Sequence, residues 1–342
     1  MATKICFINE LESGVGYHRL QIPFGNLHKT HKDLEIVGTN GFTKDMHPKN
    51  YDVIVFNRHY KHDQDYIKIA KDNGCKVILD LDDWIELPTW HSGSKDIRQS
   101  IIKQRILESI EHADLIWTAS NYLKDKIKQL TAKEVVCIEN GIDFTQPQFQ
   151  HQRKKQDKYT IGWIGAANHH KDIERLNHSF NKLLKNKNHK LLLGGYTEES
   201  KDYWNYIEQI FTSNFTRNPE QYIRIESLDV RNYAIMYNLL DCALAPLIND
   251  DYSNCKSSLK VIEAGAFNLP IICSNSVVYQ DFIDKGLVMT SNGDWDGKIK
   301  ELISNPSKGV KLGQELGDYV RQEYDINKLN LKRHESILSI LD

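Results

Sequence analysis

The feature that most restricts this chain is an alternation, met twice, of short apolar runs with longer segments of helical period. In the first half the runs are Lys4–Asn9, Leu34–Val37, Asp52–Phe56, Lys76–Leu79, Leu115–Thr118 and Val135–Ile138. Before the fifth run, Ile97, Ile101, Ile102, Ile106 and Ile110 fall at helical spacing. Such alternation specifies a parallel sheet covered by helices on both faces. The polar stretch Thr145–Lys158 (TQPQFQHQRKKQDK), basic at its centre and carrying Pro147, then breaks the pattern and reads as a linker. A second series follows: Thr160–Gly165, Lys190–Gly194, Tyr222–Ile225, Cys242–Ala245, Pro270–Cys273 and Leu287–Met289. It is expected to include a helix with Leu176, Phe180, Leu183 and Leu184 on one face, and a last helix lies near Ile326–Leu341.

A chain of 342 residues exceeds the roughly 100–200 of one domain. The expectation is therefore α/β with two Rossmann-like domains, 1–148 and 159–325, a linker at 149–158 and a terminal helix at 326–342. Sheets of this kind bind ligands outside the carboxyl ends of their strands, which places the expected chemistry in a cleft between the domains. The start, MATKICFINELES, soon meets two glutamates and does not read as a signal peptide. No apolar run approaches the roughly 18 residues of a membrane span. Six scattered cysteines, four within apolar stretches, read as reduced buried thiols and point to the cytoplasm. A net charge of −2 gives no global pull toward nucleic acid or anionic membrane.

Four stretches could carry chemistry. Gly14 and Gly16 in Ser13–Arg19 follow the first strand, where glycines admit close backbone approach and a helix start favours anions, or else merely make a tight turn. Arg19 stands where a dinucleotide fingerprint has its last small residue, and no acid ends the second strand, so a nicotinamide oxidoreductase is disfavoured. Asp80, Asp82 and Asp83 end the fourth strand as a hydroxyl binder, a base, helix caps or, least of all, a metal site. In the second domain Gly162–Asp172 runs from a strand through Gly165 to Lys171, suited to a phosphate or to a plain turn. Lys256, Lys260 and Glu263 recur at i, i+4 and i+7 opposite Leu259, Ile262 and Ala266. Two cations near a helix start oppose the macrodipole unless an anion is bound; the alternative is a salt-bridged surface.

In order and position these stretches resemble the retaining group-1 glycosyltransferases, family 4 in the usual grouping. Val136–Asp143 (VCIENGID) resembles the segment closing that family's first domain, Leu240–Pro246 (LDCALAP) its "a-D-v-f-v-l-P", and Lys260–Ile272 its "K-x-x-E-A-m-A-x-G-x-P-V-I". The resemblance implies a GT-B fold with a terminal helix crossing back to the first domain. It also implies transfer with retention from a nucleotide sugar, here expected to be UDP-linked, with no cofactor and no metal. Glu263 matches the second glutamate of the family's paired motif, the one facing the donor ribose; the first falls on Cys255. The expected catalytic set is Glu263, Lys260, Lys171 and Asp82, and the expected donor site is Gly16, Gly165, Lys171, Lys256, Ser257, Lys260 and Glu263. Tyr17, His18, Arg19, Arg58 and Asp82, with His59 beside them, are expected to bind the acceptor on the first domain. That acceptor is left open between a surface glycan, another hydroxyl compound and a hydroxymethylated base of phage DNA. A nucleotide-sugar-binding protein without turnover and a GT-B sugar epimerase are the alternatives.

Overall fold

The structure, a computed structural model, describes residues 2–8, 14–42, 46–58, 66–95, 99–150, 156–212 and 218–341. It divides into two compact units. The first comprises Met1–Asp143 with Asn254–Ser257 and Tyr324–Asp342, and the second Phe144–Ser253 with Ser258–Glu323.

The first unit is built on β1 (Thr3–Ile8), β2 (Leu34–Thr39), β3 (Val53–Asn57), β4 (Lys76–Leu81), β5 (Leu115–Thr118) and β6 (Glu134–Cys137). They form one parallel sheet in the order β2-β1-β3-β4-β5-β6. Alternate residues feed two cores. Ile54 and Phe56 of β3 pack on one face with Val77 and Leu79 of β4, and Val53 and Val55 pack on the other with Phe24 and Trp117. Burial on both faces is why these strands read as continuous apolar runs. The helix Ile326–Leu338 belongs to this unit: Leu329 and Ile337 join the second core, and Asn330 Nδ2 donates to the Pro23 carbonyl at 2.9 Å.

The second unit carries β7 (Tyr159–Ile164), β8 (His189–Tyr196), β9 (Tyr222–Glu226), β10 (Cys242–Ala245), β11 (Ile271–Cys273) and β12 (Met289–Thr290). Their order is β12-β11-β10-β7-β8-β9, again all parallel. The direction of winding thus reverses between β7 and β10, where a doubly wound sheet opens its binding crevice. Beside that point the register of β8 on β9 shifts between Gly194 and Tyr196. Gly195 has φ +108, and a Cβ there would lie 2.2 Å from the Gly165 carbonyl oxygen. Only glycine fits this close crossing of two strand ends.

Each expected strand is present with its ends moved by a residue or two; Asn9, Ser13, His59 and Ile97, like residues 151–155 of the expected linker, lie outside the described residues. The helix Gln99–His112 carries the remaining isoleucines. One expectation needs correcting. Leu176, Phe180 and Leu183 are buried as expected, but Asn177 (φ 42) and His178 (φ 58) are left-handed. They split the single helix into a turn Glu174–Leu176 and a short helix Phe180–Leu183. Asn tolerates this conformation better than other side chains, so the period was read correctly but the continuity was not.

At the carboxyl side of the first sheet the chain buries an ion pair. Residues 14–30 are helical, but Tyr17–Gln21 form a π-turn just before Pro23. Pro23 has no N–H to give the Arg19 carbonyl, which favours widening the helix there. Tyr17, His18, Arg19 and Leu20 are all buried in consequence. Arg19 Nε donates to Asp80 Oδ2 at 3.0 Å and Nη2 to Oδ1. Nη1 donates to the Ile138 carbonyl at 2.6 Å and to Asn140 Oδ1 at 3.1 Å. Asn57 Nδ2 gives Asp80 a further bond of 3.2 Å. Arg19→Met should leave the Asp80 carboxylate buried and unpaired, costing about 3–5 kcal/mol. Arg19→Met with Asp80→Leu should recover most of that loss. Hydrogen exchange of the β1 and β4 amides reads both, and a single variant as protected as the wild type would contradict the assignment.

Candidate active site

The buried ion pair changes the meaning of the first-unit candidates. Arg19 is 1% exposed, and Tyr17 and His18 are buried with it. The expectation that these three present themselves to an acceptor is corrected: Arg19 is bonded to the strand ends, and Tyr17 and His18 are buried beside it. Burial, assisted by the Arg19 charge, pushes the His18 imidazole down to about 4, so it is neutral near pH 7. Gly16 is helical (φ −59) and buried, which makes it a packing position, not a turn open to a ligand.

Arg58 and Asp82 lie half-buried beyond the strand ends. Arg58 sits in the left-handed region at φ 52, with its N–H bonded to the Asp80 carbonyl at 3.1 Å. Its Nε pairs with Asp82 Oδ1, while Nη2 reaches Asp82 Oδ2 and Asp83 Oδ2, each at 2.6 Å. A left-handed arginine is strained, and strain of this kind clusters at functional sites. Burial raises the Asp82 carboxyl above its usual range against the pull of Arg58. The carboxylates of Asp80, Asp82 and Asp83 therefore face guanidinium groups, and among the described residues no cluster of His, Cys, Asp or Glu is arranged to hold a metal ion.

Asn140, from the VCIENGID segment, both accepts from Arg19 and donates from Nδ2 to Ser257 Oγ at 2.9 Å. Ser257 and Lys256 thus belong to the first unit. This corrects the shared face of Lys256, Lys260 and Glu263. The helix spans Leu259–Ala266, so Lys256 precedes it and only Lys260 lies in its first turn. Nor is the helix amphipathic: every residue from Val261 to Ala266 is buried, because it packs between a sheet face and the long helix Pro306–Glu323. A Cβ at Gly265 would come within 2.5 Å of Val320 Cγ2 of that helix.

Lys260 reaches the reversal point of the second sheet, and Glu263 lies one turn further along its helix. Lys260 Nζ donates to the Ile164 carbonyl, the last residue of β7, at 2.6 Å and lies 5.3 Å from the Trp163 ring centroid. A side chain at Gly165 would sit 2.9 Å from that ammonium. Glu263 is 2% exposed, and Tyr237 Oη donates to its Oε2 at 3.0 Å. Burial holds the Glu263 carboxyl well above its ordinary range. Glu263 is thus bonded to Tyr237 in the interior and is not part of a solvent-facing surface.

The β7 loop is braced by Asp172, which sequence reasoning passed over. This buried carboxylate meets His169 Nδ1 at 2.7 Å and the Ile248 N–H, beyond β10, at 2.9 Å. It fixes the two loops that flank the reversal point. Lys171 is placed differently from the expectation. Its Nζ meets Glu174 Oε1 at 2.7 Å, and Tyr206 Oη donates to the same oxygen at 2.6 Å. Its ammonium is committed to a carboxylate on its own helical turn.

The family described as glycosyl transferases group 1 matches residues 144–323, more than half of the chain. No curated protein matches it. Among solved structures, a glycosyltransferase from Rickettsia africae has a TM-score of 0.68 at 14% identity, covering 100% of this chain and 99% of that one. HepE of Anabaena, crystallised with UDP and glucose, gives 0.66 at 13% identity over 98% and 100%. Sucrose-phosphate synthase of Thermosynechococcus elongatus gives 0.67 at 11% over 99% of each chain. At these identities the likeness is one of fold, here the GT-B fold. With the family's matched stretch running through Gly165, Lys260 and Glu263, the chain belongs to the group 1 glycosyltransferases.

Proposed function

We propose that the enzyme transfers a sugar from a UDP-linked donor to a hydroxyl acceptor with retention, as a family 4-like member of its group and without a metal ion. The observation that carries this reading is the Lys260 ammonium at the end of β7, beside Gly165 and at the sheet's reversal point. A cation and two glycines there suit the diphosphate of a nucleotide sugar. The UDP in HepE supports the choice of nucleotide. In the step itself the bond between the sugar C1 and the diphosphate oxygen breaks. The acceptor oxygen bonds to C1 on the same face, and its proton passes to the departing phosphate. Lys260 stabilises the negative charge that develops on that phosphate, the usual protein share in such chemistry. Guanidinium pairing of Asp80, Asp82 and Asp83 supports a metal-free reaction. Arg58, half-buried with a strained backbone at the strand ends, and Asp82 paired to it are the acceptor contacts this reading retains. The acceptor is taken to be a glycan, one of the hydroxyl classes that the sequence leaves open. Six free cysteines suit a cytoplasmic setting.

Lys260→Met keeps the aliphatic stem and removes the charge. It should weaken UDP binding by about ten- to hundred-fold, the loss of one charged hydrogen bond of roughly 1.5–3 kcal/mol. Calorimetric affinity unchanged from the wild type would remove the donor site from this helix. Transfer should persist after exhaustive chelation with EDTA, and the product's anomeric configuration, read by NMR, should match the donor's. Loss of activity restored by a divalent ion, or an inverted product, would refute the corresponding part of the reading.

Glu263 adds a pH dependence. A carboxyl whose folded pKa is raised holds its proton more tightly in the folded state. Its favourable contribution is complete below the ordinary value of 4.5 and is lost as pH rises toward the raised folded value. Glu263→Gln, which has no proton to lose and can still accept from Tyr237, should therefore gain thermal stability over the wild type between pH 5 and pH 8. A gap in melting temperature that does not widen with pH would show that Glu263 does not titrate in this way.

A further inference from the structure

The second unit also holds a depression of about 340 Å³ whose lining does not include Lys260, formed by His170, Lys171, Glu174, Asp202, Tyr203 and Tyr206. Its walls are the helices His170–Ile173 and Lys201–Phe211. Tyr203 and Tyr206 stand one turn apart on the second helix, 44% and 41% exposed. The buried His170 ring lies between them, with centroids 5.2 Å from Tyr203 and 6.2 Å from Tyr206. Two large rings kept exposed around a third are unusual for a surface with no ligand.

From this geometry we propose that the depression is a saccharide-binding site, separate from the one at Lys260. The polar groups around the rings decide between ligand classes. Tyr hydroxyls and the Lys171 ammonium donate, while the Glu174 and Asp202 carboxylates accept. A polyol, whose hydroxyls need both donors and acceptors, bonds to what the Lys171–Glu174–Tyr206 cluster leaves over, the remaining ammonium hydrogens and the second Glu174 oxygen. Asp202 and the Tyr203 hydroxyl add to these, and the polyol's C–H faces lie on exposed tyrosine rings. A cation would use the carboxylates and be repelled by Lys171. An anion such as a phosphate would meet two carboxylates against one lysine, which is already paired with Glu174 at 2.7 Å. The volume is at the small end of the range of about 300–1,000 Å³ for ligand pockets, fitting about one or two sugar rings. The site would hold part of a glycan on the enzyme away from the reacting sugar. Its occupant class rests on the reading of the enzyme as one that handles glycans.

The test is saturation-transfer NMR of the full chain with glucose, galactose, maltose and lactose, in parallel with UDP titrations. Binding of at least one saccharide in the millimolar range is expected. Tyr203→Ala and Tyr206→Ala, at exposed positions, should each weaken it at least fivefold and leave UDP affinity and melting temperature unchanged. Lys260→Met should do the reverse, which separates this site from the donor site. Silence of all four sugars would overturn the proposal, as would saccharide signals lost in Lys260→Met but kept in both tyrosine variants. Tetramethylammonium, added alone, should give no signal that either tyrosine variant abolishes; if it does, the depression is a cation site and the proposal is wrong.

Discussion

A guanidinium buried to 1% exposure is tolerable only if its donors are met, and the first unit meets those of Arg19 with groups from separate strand ends. Asp80 ends β4, the Ile138 carbonyl and Asn140 follow β6, and Asn57, ending β3, supports Asp80 in turn. The order of dependence continues outward. The Asp80 carbonyl takes the Arg58 N–H, which holds the left-handed turn that aims Arg58 at Asp82 and Asp83. A fully buried pair of this sort adds little stability over an apolar equivalent, yet removing one partner is costly. Its effect is on arrangement: strand ends that share one ion pair cannot slide independently. The same unit buries a second guanidinium, Arg333, whose pKa burial and the Arg19 charge together lower to about 9. Arg333 is met by Asn330 Oδ1 at 3.1 Å, not by a carboxylate of its own.

The second unit solves a similar problem with a different group. Lys260 is a compact ammonium bonded to a strand-end carbonyl and set near a tryptophan ring, where no guanidinium fork fixes a carboxylate. The Arg19 charge is spent on structure, whereas Lys260 sits at a reversal point that glycines keep narrow and open, Gly165 and Gly195 crossing backbone to backbone. The rigid part is supplied by Asp172, whose two oxygens tie the loop after β7 to the loop after β10.

The sheets were legible because strands buried on both faces leave unmistakable apolar runs; all twelve runs read from the sequence became strands, the edge strands β2 and β9 included although they are more open. Strand order was not written there, since it depends on which helix packs on which face. Part of the local arrangement was legible: Lys260 does reach the end of β7 beside Gly165. Periodicity misled where burial overrides it. Lys256, Lys260 and Glu263 share a face only if the helix begins early enough, and it begins at Leu259. Arg19 looked like an exposed basic residue after a glycine loop, and nothing local announces that a carboxylate 61 positions away will bury it. Asp172 was overlooked for the matching reason, as its partners lie 3 and 76 residues away and only the second explains its burial.

Cys255 shows how far such long-range packing reaches into function. By resemblance it occupies the place of a glutamate that meets the donor sugar. In the structure it is wholly buried among Leu123, Ile127 and the other apolar residues of the first unit, and its carbonyl accepts from Ser120 Oγ at 2.8 Å. A carboxylate at that position would have to leave water for an apolar core, at a penalty of several kcal/mol. The residue is thus not a glutamate that lost its charge while keeping its place. The short turn Ser253–Cys255 has turned that side chain inward, and the same turn ends beside Ser257, held by the Asn140 amide that also meets Arg19. Cys255 therefore presents no side chain to a ligand, and the buried ion pair of the first unit reaches, through Asn140, the Ser257 that follows this cysteine.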